Sequence, residues 1–381
     1  MGRALRIAES FLAERQGVER IAAAWPLLVP LSSFALLVIA MAAGVGPLLA
    51  VLCGVGIAGT VLVSVHHAEI VAHRVGEPFG TLVLAVSVTV IEASLILSMM
   101  LADSGPASVL PRDTIYAAVM IICNGVIGIC VLLGGLAHRE QSFRVEGAGA
   151  GLAVLIVLSA LTLALPAFGT AAPGHAPAGV IGTPMLVFVA TASAVLWAVF
   201  IFVQTVRHRD YFLPVRSAAD PEYHARPPTA REAWMSFGLL LVSLVAVVGL
   251  AKKLSPTIEH AVDVMGAPQA AIGIVIAILV LLPETGAAVR AARADRLQTS
   301  MNLAIGSALA CIGLTVPVVV VTSIAAGLPL VLGLEPKALV LLAVTFLVST
   351  VTLGTGRTYI MQGAVHLVIF AAFLFLALGP S

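Results

Sequence analysis

Two glutamates, Glu92 and Glu284, each stand as the only charge inside a long apolar run. Each also closes the same spaced pattern. Glu69 is followed by Gly76 seven residues on, Pro78 at nine and Glu92 at 23. Glu259 is followed by Gly266 at seven, Pro268 at nine and Glu284 at 25. The chain therefore contains itself twice, about 190 residues apart, with a membrane-buried carboxyl at the same place in each copy. An ionisable side chain in lipid is costly and marks a functional site. A matched pair within an internal repeat is the pattern of a transporter's central ion site. The competing reading, two neutral hydrogen-bonded core carboxyls, is harder to sustain for a matched pair than for one.

Of the 381 residues, 60% are hydrophobic and 10% charged, against about 25% charged in soluble domains. This composition specifies an all-α polytopic membrane protein, because a β-barrel needs period-two alternation. A net charge of +1 gives no reason to expect a nucleic-acid partner. The partners expected are the lipid bilayer, inorganic cations and protons, with no cofactor. Cys53, Cys123, Cys130 and Cys311 all lie in apolar runs and read as small core residues. The opening stretch, residues 1–20, alternates Arg and Glu and lacks the layout of a cleaved signal peptide. It reads as a cytoplasmic amphipathic lead-in helix.

About 11 transmembrane helices can be drawn, at 25–43, 47–66, 79–101, 113–136, 147–166, 184–206, 234–250, 270–289, 300–326, 337–353 and 358–378. With the N-terminus cytoplasmic, 16 of the 20 Lys and Arg fall on inside segments. That bias orients the chain and places the C-terminus outside. Glu92 and Glu284 are then five spans apart, an odd number, so the second copy is inverted. The expected organisation is an N-terminal segment with one extra helix (1–45), a five-helix repeat (46–206), a cytoplasmic linker (207–233) and a second, inverted five-helix repeat (234–381).

Thr81, Ala85, Thr89 and Glu92 share one helical stripe, whose small and hydroxyl side chains leave room for an ion. Pro283 precedes Glu284 and frees helix carbonyls near 279–282. The following spans carry Asn124-Gly125 and Gly306-Ser307, with Asn302 as a weaker candidate. Their oxygens suit a hard-cation shell, although interhelical hydrogen bonding explains them nearly as well. His66, Glu69 and His73 are spaced i, i+3, i+7 on one face near the cytoplasmic end of the second span. With Glu77 they form a candidate proton relay or cation entrance. A plain solvated helix end explains this group equally well.

Here the residues resemble a known family. The run from Glu69 through Arg74, Gly76, Glu77 and Gly80 to Glu92 resembles the first repeat of the calcium:cation antiporter superfamily. Pro283-Glu284-Thr285-Gly286 with Gly306-Ser307 resembles the second, and Gly356-Arg357 with Gln362-Gly363 resembles the last-helix signature. The combined pattern is similar to bacterial ChaA-type calcium (sodium, potassium)/proton antiporters. The resemblance implies that Glu92 and Glu284 bind cation and proton in turn, in a bacterial inner membrane. Two departures alter the ligand number. Val88-Thr89 stands where vacuolar-type relatives carry Gly-Asn, so the side-chain amide is missing, and Arg290 stands where they carry the second glutamate.

The expected function is export of a cytoplasmic cation, calcium ahead of sodium or potassium, in exchange for protons. Calcium takes 6–8 oxygen ligands, which Glu92, Glu284, Asn124, Ser307, Thr89, freed carbonyls and water could supply. The runner-up is an antiporter used mainly for sodium or potassium. A further alternative is an intramembrane metal-dependent hydrolase using His66, Glu69 and His73.

Overall fold

The computed structural model describes residues 24–76, 79–101, 108–168, 182–212, 228–266, 268 and 270–379. Side chains 79–82, 84, 85, 259 and 263 lie outside that description. The lead-in helix, Glu77, the Thr81–Ala85 part of the stripe, the Glu259 side chain and linker residues 213–227 therefore fall outside the described residues.

Among the described residues the chain forms eleven long helices. They are α1 (Ala24–Ala43), α2 (Pro47–Val75), α3 (Phe79–Met100), α4 (Leu110–His138), α5 (Val145–Phe168) and α6 (Thr183–Arg207). After the linker come α7 (Ala230–Met265), α8 (Ala270–Arg293), α9 (Leu297–Ala326), α10 (Pro336–Gly354) and α11 (Ile360–Leu378). Ten are long and apolar enough to cross a bilayer, and α3 adds an apolar stretch at Val86–Met100.

Local chemistry explains many of the boundaries. Proline occupies the first turn of α2, α4, α6 and α10, where its missing N–H costs nothing. At the start of α7, the Thr229 backbone N–H donates to Glu232 Oε2 at 2.7 Å and the Glu232 N–H to Thr229 Oγ1 at 3.3 Å. This is a reciprocal capping box. Gly327, at φ 66°, ends α9 in the left-handed conformation that glycine accepts without strain.

Two boundaries differ from the sequence expectation. Helix α7 is 36 residues long and carries Lys252 and Lys253 within it as exposed residues, not in a loop after position 250. At 1.5 Å per residue it spans about 54 Å, well beyond a bilayer core of about 30 Å. Helix α2 likewise runs on to Val75, so His66, Glu69 and His73 lie within a helix that hydropathy alone ended at 66.

The packing is two-fold. Helix α2 lies on α7, its counterpart in the second repeat. Helix α3 packs on α9 as α8 packs on α4, and α4 packs on α11 as α9 packs on α6.

The connections sort into two groups that meet at opposite ends. Strand β1 (Glu140–Ser142), after α4, pairs antiparallel with β2 (Arg357–Tyr359), after α10. Gln141 Nε2 ties that end to Asp295, after α8. Arg144 reaches the Asp210 carbonyl after α6, and Arg74 at the end of α2 reaches the Pro228 carbonyl. At the other end, Ser108 before α4 bridges Leu330 after α9, and the Leu334 N–H donates to the Leu163 carbonyl of α5. Even-numbered helices from α2 to α10 thus end on one side and odd-numbered α3, α5 and α9 on the other. An alternating chain with inverted halves requires this.

Two separate apolar cores result. One unites α1, α2 and α7 with one face of α3 (Val88, Ile91, Leu95) and of α8 (Ile272, Ile276, Val280). The other unites α4–α6 and α9–α11 with the opposite faces, through Ile96 and Met100 of α3 and Ala277 and Leu281 of α8. Helices α3 and α8 therefore form the seam.

Candidate functional site

The two glutamates sit on that seam, 13 and 14 residues from the first residues of α3 and α8 (92 − 79 and 284 − 270). Glu92 is buried, with 4% of its surface exposed. Cys311 of α9 donates its Sγ–H to Glu92 Oε1 at 2.6 Å, a bond that crosses between the repeats. Glu284 is partly buried, and its Oε2 is shut from water with no hydrogen-bond partner among the described residues. It lies within electrostatic reach of both Glu92 and Glu69. Carboxylates from α2, α3 and α8 thus act on one another electrostatically, with Glu92 and Glu284 at the boundary of the two cores.

Backbone geometry supports the site. Pro283 stands within continuous α8. Lacking an N–H, it leaves the Leu279 carbonyl without its in-helix donor one turn before Glu284. The Thr285 hydroxyl is turned back onto the Leu281 carbonyl at 2.7 Å, so that oxygen is already engaged. Helix α4 widens to a π-turn at Ile121–Val126, a distortion often found at functional sites.

The other sequence candidates divide. Thr89 is buried one turn from Glu92 on α3. Ser307 is half-buried on α9, four residues before Cys311 and so on the same face. Asn124 is fully buried, but its side chain is engaged with α10 and α11. Its Nδ2 donates to Thr345 Oγ1 at 2.9 Å, and its Oδ1 faces His366 Nδ1 at 3.2 Å. Asn302 serves a structural end, donating to the Phe212 carbonyl and accepting from Gln298.

His66, Glu69 and His73 follow one face of α2, but His66 packs against Trp25 with ring centroids 5.7 Å apart, while Glu69 and His73 are exposed. His67, which the sequence did not single out, is the buried one and meets the Pro26 carbonyl at 2.9 Å. Among the described residues no three His, Cys, Asp or Glu side chains gather to hold a metal. The hydrolase arrangement on α2 is therefore not formed.

Sequence reading missed two residues. Cys311 was read as core, and its i+4 relation to Ser307 was the available signal. His366 drew no notice, although it lies within an apolar span and is fully buried. A cavity of about 450 Å³ between the ends of α4, α8, α10 and α11 is lined by Arg112, Asp113, Glu335 and Lys337, and neither glutamate reaches it.

Comparison with known proteins agrees with this architecture. The chain is 51% identical over 322 residues to the protein y4hA of Sinorhizobium fredii, covering 84% of this chain and 86% of that one. It is 34% identical over 323 residues to the sodium-potassium/proton antiporter ChaA of Escherichia coli, with the same coverage. Among solved structures, an H+/Ca2+ exchanger CAX superposes with a TM-score of 0.69 at 16% identity, covering 92% of this chain and 88% of that one. Residues 45–206 and 235–379, the two halves that pack about the glutamates, match the family described as sodium/calcium exchanger protein, and the chain belongs to that family.

Proposed function

We propose that the protein exchanges a cytoplasmic cation for protons, with Glu92 and Glu284 holding cation and proton in turn. The observation that carries this reading is that the two carboxylates, on oppositely running helices, lie within electrostatic reach of each other on the seam between separately packed cores. Cation and proton compete for the same oxygens, so loading one releases the other. Two carboxylates balance one divalent ion against two protons. Sliding or rocking at the seam opens the site to alternate sides, as inverted repeats permit.

Thr89, Ser307, the Leu279 carbonyl and water complete the shell, with Asn124 a further oxygen donor when its amide leaves Thr345 and His366. The proximity of Glu69 to Glu284 supports an entrance along α2 past His66, Glu69 and His73, and Glu77 is assigned to the same entrance. Calcium is the first candidate cation. A Ca(2+)/H(+) antiporter of Aphanothece halophytica is 27% identical over 340 residues. The second reading, sodium or potassium/proton exchange, draws on the ChaA relative and on the small number of titratable donors beside the two carboxyls. The Lys/Arg distribution supports a cytoplasmic N-terminus, and the bacterial relatives support a bacterial inner membrane.

Everted vesicles with an imposed pH gradient test the proposal. Calcium, sodium or potassium is added while a fluorescent pH probe follows the gradient. At least one cation should dissipate it in wild type, and Glu92→Gln and Glu284→Gln should abolish the response. Full activity in either variant refutes the assignment.

A further inference from the structure

Asn124 and Cys311 occupy the same register, each 14 residues from the first residue of its helix (124 − 110 and 311 − 297). Helices α4 and α9 are counterparts in the two repeats. The two-fold relation that sets Cys311 against Glu92 would set Asn124 against Glu284. That contact is absent: among the described residues Glu284 Oε2 is buried with no partner, and the Asn124 side chain is bound to α10 and α11.

The hydrogen bonds holding it there have a defined direction. The Thr345 hydroxyl gives its hydrogen to the Leu341 carbonyl at 2.8 Å, so its oxygen accepts from Asn124 Nδ2. That fixes the amide with Oδ1 toward α11. Oδ1 can only accept, so His366 Nδ1 carries the hydrogen, and Nε2 accepts from the Thr352 hydroxyl at 3.1 Å. Asn124, Thr345, Thr352 and His366 are each no more than 2% exposed. Each bond therefore has no water to replace it.

We propose that His366 is a positioning residue for ion choice. Its Nδ1–H withholds the Asn124 amide oxygen from the cation shell, and release lets Asn124 turn to the symmetry-related place beside Glu284. This inference rests on the exchange reading above. In the clamped arrangement the first repeat supplies one neutral oxygen fewer, which favours ions of lower coordination. Release adds an oxygen and favours calcium, which takes 6–8.

The test has two arms. In vesicles, His366→Leu should lower the apparent KM for calcium relative to sodium by about tenfold, the worth of one added contact to a charge. His366→Gln, whose amide can donate in place of Nδ1, should keep the wild-type ratio. In an Asn124→Ala background His366→Leu should change nothing. An unchanged ratio in His366→Leu, or the same shift without Asn124, overturns the proposal. The second arm is ¹⁵N NMR of histidine-labelled protein, with the His366→Gln spectrum subtracted to isolate the residue. The Nδ1–H tautomer should appear in wild type, and its ¹⁵N shift should move in Asn124→Ala, where the Cys123 backbone is left as the neighbouring acceptor. An Nε2–H tautomer in wild type overturns the clamp whether or not any cation is exchanged. Wild-type vesicles inert to all three cations, with the tautomer as expected, refute the exchange reading and with it the role in ion choice, and leave the clamp standing.

Discussion

Gly273 marks the point where α8, the helix bearing Glu284, crosses the first turn of α4. A Cβ there would lie 2.9 Å from the Thr114 backbone nitrogen and 3.1 Å from the Asp113 carbonyl carbon. Ordinary contact begins at 3.4 Å, so α8 must retreat by about 0.5 Å (3.4 − 2.9) from backbone atoms that cannot rotate away. Overpacking of this kind costs about 1–3 kcal/mol, and the helix propensity of alanine returns about 1 kcal/mol. Gly54 in α2 has nothing within 4 Å of the same added atom. Gly54→Ala should therefore gain the propensity term alone.

The two variants should move in opposite directions, separated by about 1–3 kcal/mol. All four cysteines are buried and free, so a maleimide dye that fluoresces on reaction reports unfolding in detergent. Gly273→Ala should melt below wild type and Gly54→Ala at or above it. Gly273→Ala should also slow exchange in vesicles, because Glu284 lies eleven residues further along the displaced helix. A Gly273→Ala protein that melts with or above Gly54→Ala refutes the close-contact account of the α4–α8 crossing.

Gln141, 3% exposed, donates from Nε2 to the Ala292 carbonyl and to Asp295 Oδ1, both at 2.9 Å. Gln141→Leu should destabilise by about 1–3 kcal/mol per acceptor left unpaired, read as a lower melting temperature in the same assay. Gly363→Ala places a Cβ 2.6 Å from the Leu132 nitrogen and 2.9 Å from the Gly128 carbonyl oxygen. It should reduce the yield of folded protein on size-exclusion chromatography. Arg357→Gln removes an exposed ion pair to Glu140 at 3.4 Å. Its melting temperature should match wild type, since such pairs contribute about 0–1 kcal/mol.

The spans and the inversion were legible in the sequence because lipid demands long apolar runs and leaves few tolerated charges. Glu92 and Glu284 were conspicuous for the same reason. Composition could not show where a helix continues past the bilayer. Hydropathy falls at Lys252-Lys253 while the backbone hydrogen bonds of α7 run on to Met265. Cys311 and His366 were hidden for a different reason. A thiol and an imidazole in an apolar run have the same composition whether they fill space or hold a partner. Only the approach of α9 to α3, and of α11 to α4, distinguishes the two cases. Asn124 shows the converse. Its residue type suits a cation shell, but composition could not show that, within the π-turn, its side chain is engaged with α10 and α11.

Two cores joined mainly through α3 and α8 need not lose their order together. The core of α1, α2 and α7 is the smaller, and neither the β1–β2 ribbon nor the Ser108–Leu330 bridge fastens it. The cysteines are divided unevenly between the two, Cys53 in this core and Cys123, Cys130 and Cys311 in the other. On slow heating the thiols should therefore report a sequence of events. Cys53 becomes reactive first as the wing peels from the body, and the remaining three follow as a group when the fastened helices come apart.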